Sequence, residues 1–166
     1  WSQPQWRALA QERTGASSRA SRRFNIQVAT APETLTRLLV GAGWEPVPAS
    51  DWRWVLQALN PEPDQASLPL LGRAYQGRSE ELLLRKDVGP AGPLLTIRLW
   101  DSGVRLMPGE QVLYLGQLSD EELVQRLGLF SYWRARPMGE DLQQPLLEAL
   151  GSLEQKRVAG GLLLVR

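Results

Sequence analysis

Apolar and polar positions alternate where the body of the chain begins, with Phe24, Ile26 and Val28 separated by Asn25 and Gln27, and this period of two predicts a strand. The pattern then shifts to helical spacing at Leu35, Leu38, Leu39 and Ala42. Thr30 and Glu33 are spaced as a capping box, Pro32 is tolerated in a first turn, and Gly43 supplies the stop. Trp44 to Val47 reads as a short extended piece. A second helix is expected from a Ser50 cap, with Trp52, Val55, Leu56 and Leu59 on one face and Pro61 and Pro63 ending it. A loop to Gly72 and the segment Tyr75 to Ser79 then lead into a strand over Glu81 to Lys86.

The centre reads as a β-meander. Leu94 to Trp100 alternates, Ser102-Gly103 offers a tight turn, Val104 to Met107 returns, and Pro108-Gly109 turns again into a strand over Val112 to Leu118. Ser119 and Glu122 repeat the capping-box spacing and predict a short helix through Leu127. Leu129 to Ala135 is extended, and Asp141 caps a helix to Leu150 with Pro145 near its first turn. Leu153 to Val158 and Leu162 to Val165 form a terminal hairpin around Gly160-Gly161. The expected fold is α+β, a mostly antiparallel or mixed sheet with about four helices packed on it.

Composition narrows the chemistry. The 166 residues contain no histidine and no cysteine, and only two lysines, Lys86 and Lys156. Ser-His-Asp and Cys-His nucleophile arrangements, phosphohistidine intermediates and the usual zinc sites are therefore excluded. Carboxylate, lysine, tyrosine and arginine chemistry remain. No cofactor or metal is expected, because no dinucleotide or phosphate-loop motif and no zinc spacing is present.

The net charge of +1 is unevenly spread. Residues 1–23 carry five arginines against Glu12, a balance of +4, and the remainder carries fourteen basic and seventeen acidic residues, a balance of −3. A mildly acidic body argues against nucleic acid as a partner. Residues 1–23 read as a basic juxtamembrane linker or disordered lead-in, and 24–166 as the domain. Trp1 and Trp6 beside Arg7 and Arg13 have the composition of the flank of a membrane span. Nothing in the chain reads as a span or signal peptide, and the lack of an initial methionine suggests a piece of a longer protein.

Four stretches carry a family resemblance: FNIQVATAPETLTRLLVGAGWEP (Phe24 to Pro46), LNPEPDQASLPLLGRAYQGRSEELLLRK (Leu59 to Lys86), LTIRLWDSGVRL (Leu95 to Leu106) and VLYLGQLS (Val112 to Ser119). In this order and spacing the body, about Phe24 to Arg166, resembles the LssY C-terminal-like domain. That family follows membrane-embedded modules of the PAP2 phosphatase and DedA types in bacteria. The resemblance implies the soluble tail of a bacterial inner-membrane protein, with the membrane module of the same polypeptide as its partner. It carries no catalytic residues, and the histidines that PAP2 phosphatases use are missing here. Positive charge flanking a span, and a tail following a six-span PAP2 module, both favour the cytoplasmic side.

Two sets of residues are candidates for binding. If Ser102-Gly103 turns a hairpin, Trp100 faces Arg105 across it with Arg98 two residues along. That cation–π group, worth about 0.5–2 kcal/mol, suits a sugar ring or a phosphate; it equally suits a cross-strand pair that only stabilises the hairpin. Tyr75 and Arg78, between Gly72 and Gly77, form the second set, the ordinary alternative being a connection that caps the next strand. Of the other tryptophans, Trp44 and Trp52 read as core, and Trp54 and Trp133 remain ligand candidates. The carboxylates Asn60/Glu62/Asp64 (with the amide first), Glu80-Glu81, Glu140-Asp141 and Asp120 to Glu122 read as solvated or helix-capping groups before catalytic ones.

These observations favour a non-catalytic accessory domain that recognises a phosphorylated lipid, a glycan or a partner protein, with an anionic lipid or glycan headgroup as its ligand. Two alternatives stay open. One is a hydrolase or transferase built on a carboxylate pair, and the other is a purely structural interaction module.

Overall fold

The computed structural model describes residues 3–9, 23–47, 68, 70–89, 94–126, 130–137, 143–158 and 162–166. In chain order the elements are α1 (Gln5–Ala8), β1 (Ile26–Val28), α2 (Pro32–Gly41), β2 (Glu45–Pro46), β3 (Ala74–Tyr75), β4 (Arg78–Ser79), β5 (Leu82–Asp87), β6 (Leu94–Leu106), β7 (Gln111–Arg126), β8 (Phe130–Pro137), α3 (Gln144–Ala149), β9 (Gln155–Val158) and β10 (Leu162–Val165). Ten of these form the β framework. The expectation of an α+β fold with about four helices on a sheet is corrected: the described residues are mostly β, with three helices and one eight-stranded sheet.

The sheet runs β2-β5-β6-β7-β1-β10-β9, with β8 added along β7. It is mixed, because β1 and β10 pair in parallel while its other pairs are antiparallel. The spine is β7, which pairs β6 from Gln111 to Glu121, β1 from Tyr114 to Gly116, and β8 from Ser119 to Arg126.

That spine absorbs the predicted helix over Ser119 to Leu127. Ser119, Asp120 and Glu122 do have helix-start chemistry, but the same residues pair with Thr96, Leu95 and Arg134 of neighbouring strands. Two long-range ladders outweigh a local propensity worth tenths of a kcal/mol per residue. The predicted Ser102-Gly103 turn is likewise corrected. The segments on either side of it pair the same strand, Asp101 with Tyr114 and Val104 with Leu113, so Ser102 and Gly103 form a bulge inside β6. Gly103 takes φ +76° there, and its N–H donates to Asp101 Oδ1 at 2.8 Å. The chain reverses later, at Met107 to Glu110.

The first helix signal holds in its apolar face but not in its cap. Leu35 and Leu39 are buried, and Gly43 ends the turn at φ +82°. However, Ala31 is the N-cap residue and makes no side-chain cap bond. Ala29 N–H remains bonded to Val165 O at the sheet edge, and Pro32 sits at the start of the helix, so the helix begins after Thr30. The extended piece after Trp44, the strand before Lys86, the extended segment over β8 and the terminal β9–β10 pair are found as expected. The Ser50 helix, Trp54, the Asn60/Glu62/Asp64 and Glu140-Asp141 groups and the Gly160-Gly161 turn lie outside the described residues.

The alternation of the strands separates two cores. On one face Ile26, Val28, Leu95, Ile97, Leu99 and Leu163 pack against α2, α3 and Trp44. On the other, Trp100, Leu113, Leu115 and Leu164 pack against Phe24, Tyr75, Trp6 and Leu9. The lead-in thus joins the body between Gln3 and Leu9. The Gln3 side-chain amide holds Met107 from both sides, donating to its carbonyl at 2.6 Å and accepting its N–H at 3.1 Å.

Candidate functional site

The second core is roofed by the stretch from Leu68 to Glu80, which contains the small hairpin β3–β4. The hairpin forms its own two-stranded sheet, and Gln76 and Gly77 turn it at φ +50° and +77°. Two indoles grip the roof by its backbone: Trp100 Nε1–H donates to Arg73 O at 3.1 Å, and Trp133 Nε1–H to Leu68 O at 3.3 Å. Tyr75 and Trp100 both meet the edge of Phe24, at centroid distances of 5.3 and 5.7 Å.

Beneath the roof, β6 and β7 present polar residues where a core would normally be apolar. Arg98 donates to Glu80 Oε1 at 2.9 Å, with side-chain exposures of 1% and 11%. Glu80 Oε2 accepts the Arg73 main-chain N–H at 2.8 Å. The Arg73 guanidinium reaches across to Gln117 Oε1 at 2.9 Å and Glu121 Oε1 at 3.4 Å. Glu121 is wholly buried, and the Thr96 and Ser119 hydroxyls, 2.7 Å apart, lie 3.0 and 3.1 Å from the same oxygen. Its other oxygen has no hydrogen-bond partner among the described residues. Two cations and two anions are thus buried together, and such a group is tolerated only when each charge has its counterpart.

At the outer end of the hairpin lies an exposed counterpart. Arg105 holds Asp101 bidentately, at 2.9 and 3.1 Å, and Arg78 stands 3.9 Å from the same carboxylate. The side chains of Arg78 and Arg105 are 65% and 41% exposed. The Arg105 hydrogen bonds hold the Asp101 carboxyl below its usual 3.8; burial opposes them, and the Gly103 N–H and the charges of Arg105 and Arg78 reinforce them. Tyr114 across the ladder is pushed up, chiefly by burial and then by the charges of Glu81, Asp101 and Glu33.

A group with a lowered folded pKa contributes stability that is complete above its unfolded value and is lost as pH falls through the folded one. The stability difference between the protein and Asp101→Asn is therefore expected to be constant near neutrality. It closes as pH drops below 3.8, where Asp101 protonates in both states. Denaturant unfolding of both proteins across the acid range measures this, and a gap that persists in strong acid contradicts it.

The five residues singled out in the sequence fall along one seam, where the hairpin meets β6, but they divide by role. Trp100 and Tyr75 are buried in the second core, so neither offers a ring face for stacking a sugar. Arg98 is buried against Glu80, while Arg78 and Arg105 stay at the surface. The expected Trp100–Arg105 pair across a hairpin does not form, since Trp100 lies opposite Leu115 and Arg105 opposite Val112. Sequence reading missed Arg73, Glu121 and the pairing roles of Glu80 and Asp101; their proximity depends on strand register, which no local spacing encodes. A separate cleft of about 320 Å³ lies at the turn end of β6 and β7, between Gln3, Trp6, Met107 and Arg166. Arg166 there is paired with Glu154 at 2.9 Å.

Sheet and seam together define a β-rich domain built around an internally neutralised arginine cluster. A family model described as the LssY C-terminus matches residues 6–129, from α1 into β7. The chain belongs to the LssY C-terminal family. No curated protein and no solved structure matches it.

Proposed function

We propose that this chain is a non-catalytic accessory domain of a bacterial membrane protein, and that it recognises a phosphate-bearing headgroup through the arginines of the seam. The observation that carries the reading is the commitment of the inward carboxylates. Glu80, Asp101 and Glu121 are each held by an arginine, and on the neighbouring strand pair Asp120 and Glu122 are held by Arg136 and Arg134. A carboxylate hydrolase needs one acid free to give a proton and another free to attack or take one. These acids are occupied.

The arginines suit recognition. A guanidinium presents a planar fork of donors that matches phosphate oxygens, and Arg78 and Arg105 present theirs at the surface around one carboxylate. Burial of Trp100 removes the stacking platform on which a glycan reading depends. In this reading the partner is a PAP2- or DedA-type membrane module of the same polypeptide, and the domain sits on the cytoplasmic side of the inner membrane. Among the described residues no helix is long and apolar enough to cross a membrane, and the reading assigns the span to that module.

Co-sedimentation with phosphatidylcholine vesicles, with and without phosphatidic acid, tests the proposal. The protein is expected to prefer the phosphatidic acid vesicles, and Arg78→Ala/Arg105→Ala to lose that preference by roughly tenfold, the equivalent of one charge-assisted contact. Equal binding to both vesicle types, or an unaffected double variant, overturns it.

A further inference from the structure

We propose that the Glu80 carboxylate is an intramolecular stand-in for an external oxyanion, and that the site it fills, formed by Arg98 and the Arg73 main-chain N–H, takes inorganic phosphate or a phosphomonoester when Glu80 withdraws. The inference rests on the reading above for its ligand class only; it concerns the buried end of the seam, not the exposed Arg78 and Arg105.

The two donors are of the kinds that bind oxyanions. One is a guanidinium N–H at 2.9 Å and the other a backbone N–H at 2.8 Å, and they take different oxygens of one carboxylate. The cation and the carboxylate belong to elements of different anchorage. Arg98 is fully buried on β6, which is hydrogen-bonded on one side to β5 and on the other to β7. Glu80 follows a hairpin of two residues per strand that is not part of the main sheet, and such a unit is marginal alone. Ala74, Gln76, Gly77, Arg78 and Ser79 of that hairpin are exposed.

Withdrawal of Glu80 is therefore an opening at the surface, whereas withdrawal of Arg98 requires the sheet to come apart. Once Glu80 leaves, Arg73 and Arg98 remain with Glu121 alone as buried counter-charge, a local balance of +1. A buried cation deprived of its partner favours whatever anion can reach it. Phosphate supplies the planar spacing of two oxygens that the carboxylate vacates, and the Gln117 amide, Ser119 and Thr96 extend the polar surroundings.

The test uses the whole chain and follows the indole N–H resonance of Trp100, whose acceptor is Arg73 O, during titration with sodium phosphate against sodium chloride of equal ionic strength. Glu80→Gln is expected to bind phosphate at least about tenfold more tightly than the parent, with a saturating shift of that resonance. Adding Arg98→Met to Glu80→Gln abolishes the binding. No gain in Glu80→Gln, or binding that survives Arg98→Met, overturns the proposal.

If Glu80→Gln does not fold, Glu80→Asp draws the carboxylate back by one methylene. Phosphate must then raise its melting temperature above the chloride control, and an unchanged melting temperature overturns the proposal. Phosphatidic acid vesicles in place of free phosphate identify the source. A Trp100 shift with vesicles marks a lipid headgroup, and a shift with free phosphate only marks a soluble phosphate. If phosphate binding to Glu80→Gln survives Arg78→Ala/Arg105→Ala while vesicle preference never appears, the buried site stands and the headgroup reading falls. The reverse result removes the buried site alone.

Discussion

Glu80→Gln is expected to destabilise the protein in chloride buffer by about 3 kcal/mol, more than Arg98→Met, at about 2 kcal/mol. The asymmetry follows from position. Removing the charge of Glu80 deprives a guanidinium that is 1% exposed of its carboxylate, while removing Arg98 leaves a carboxylate at 11% exposure, close enough to the surface to recover water. The Arg73 N–H still contacts that carboxylate in Arg98→Met, which lessens the loss further. The double variant Glu80→Gln/Arg98→Met is expected to be less destabilised than the sum of the singles by 1 kcal/mol or more, roughly, because the second change removes the charge that the first stranded. Urea unfolding of the four proteins measures the cycle. Additive effects, or a costlier Arg98→Met, show that the pair is not the internal counter-charge described here. Phosphate is expected to shrink the Glu80→Gln cost, since a ligand that binds only the folded state stabilises it by mass action.

The cycle also bears on why the seam was only half legible in the sequence. Arg98, Arg105 and Arg78 stand out as basic residues beside Trp100 and Tyr75, and all five do lie where the hairpin meets β6. What they face could not be read. Arg98 meets Glu80 through the return of the hairpin, and Arg73 meets Glu121 across 48 positions, a distance that only the β6–β7 register brings to contact. The same limit explains the misassigned elements. Ser119 to Leu127 has a cap residue, acids in the first turn and apolar residues at helical spacing, yet it lies between two strands that pair its backbone on both sides. Ser102-Gly103 is a good turn sequence, and the Ser102 hydroxyl instead donates to Leu113 O while β7 continues past it. Where local and long-range preferences agree, as at Ile26 to Val28, Leu35 and Leu39, and the β9–β10 pair, the elements were legible.

Agreement is closest at Gly116, which sits in the predicted strand over Val112 to Leu118 and whose lack of a side chain has a structural use. It lies between Ile26 of β1 and Leu99 of β6, at the centre of the sheet. A Cβ added there would fall 2.3 Å from Ile26 Cγ2, 2.6 Å from Leu99 Cδ2 and 3.1 Å from the Arg98 carbonyl oxygen. The two side chains close over the glycine, so its space belongs to its neighbours. Neither can swing away, because both are fully buried in the first core, and the carbonyl is fixed in the β6 ladder. Gly116→Ala is therefore expected to cost about 3 kcal/mol, the upper part of the range for overpacking, despite alanine's better backbone entropy. Such a loss is a large share of the stability of a domain this size. Combining it with Ile26→Ala, which removes the closest methyl, is expected to cost less than the sum of the two single changes. Denaturant midpoints decide the matter: a loss under about 0.5 kcal/mol in Gly116→Ala shows that β1 and β6 can part to admit a methyl group, and that the register holding Arg98 in place is looser than the ladder implies.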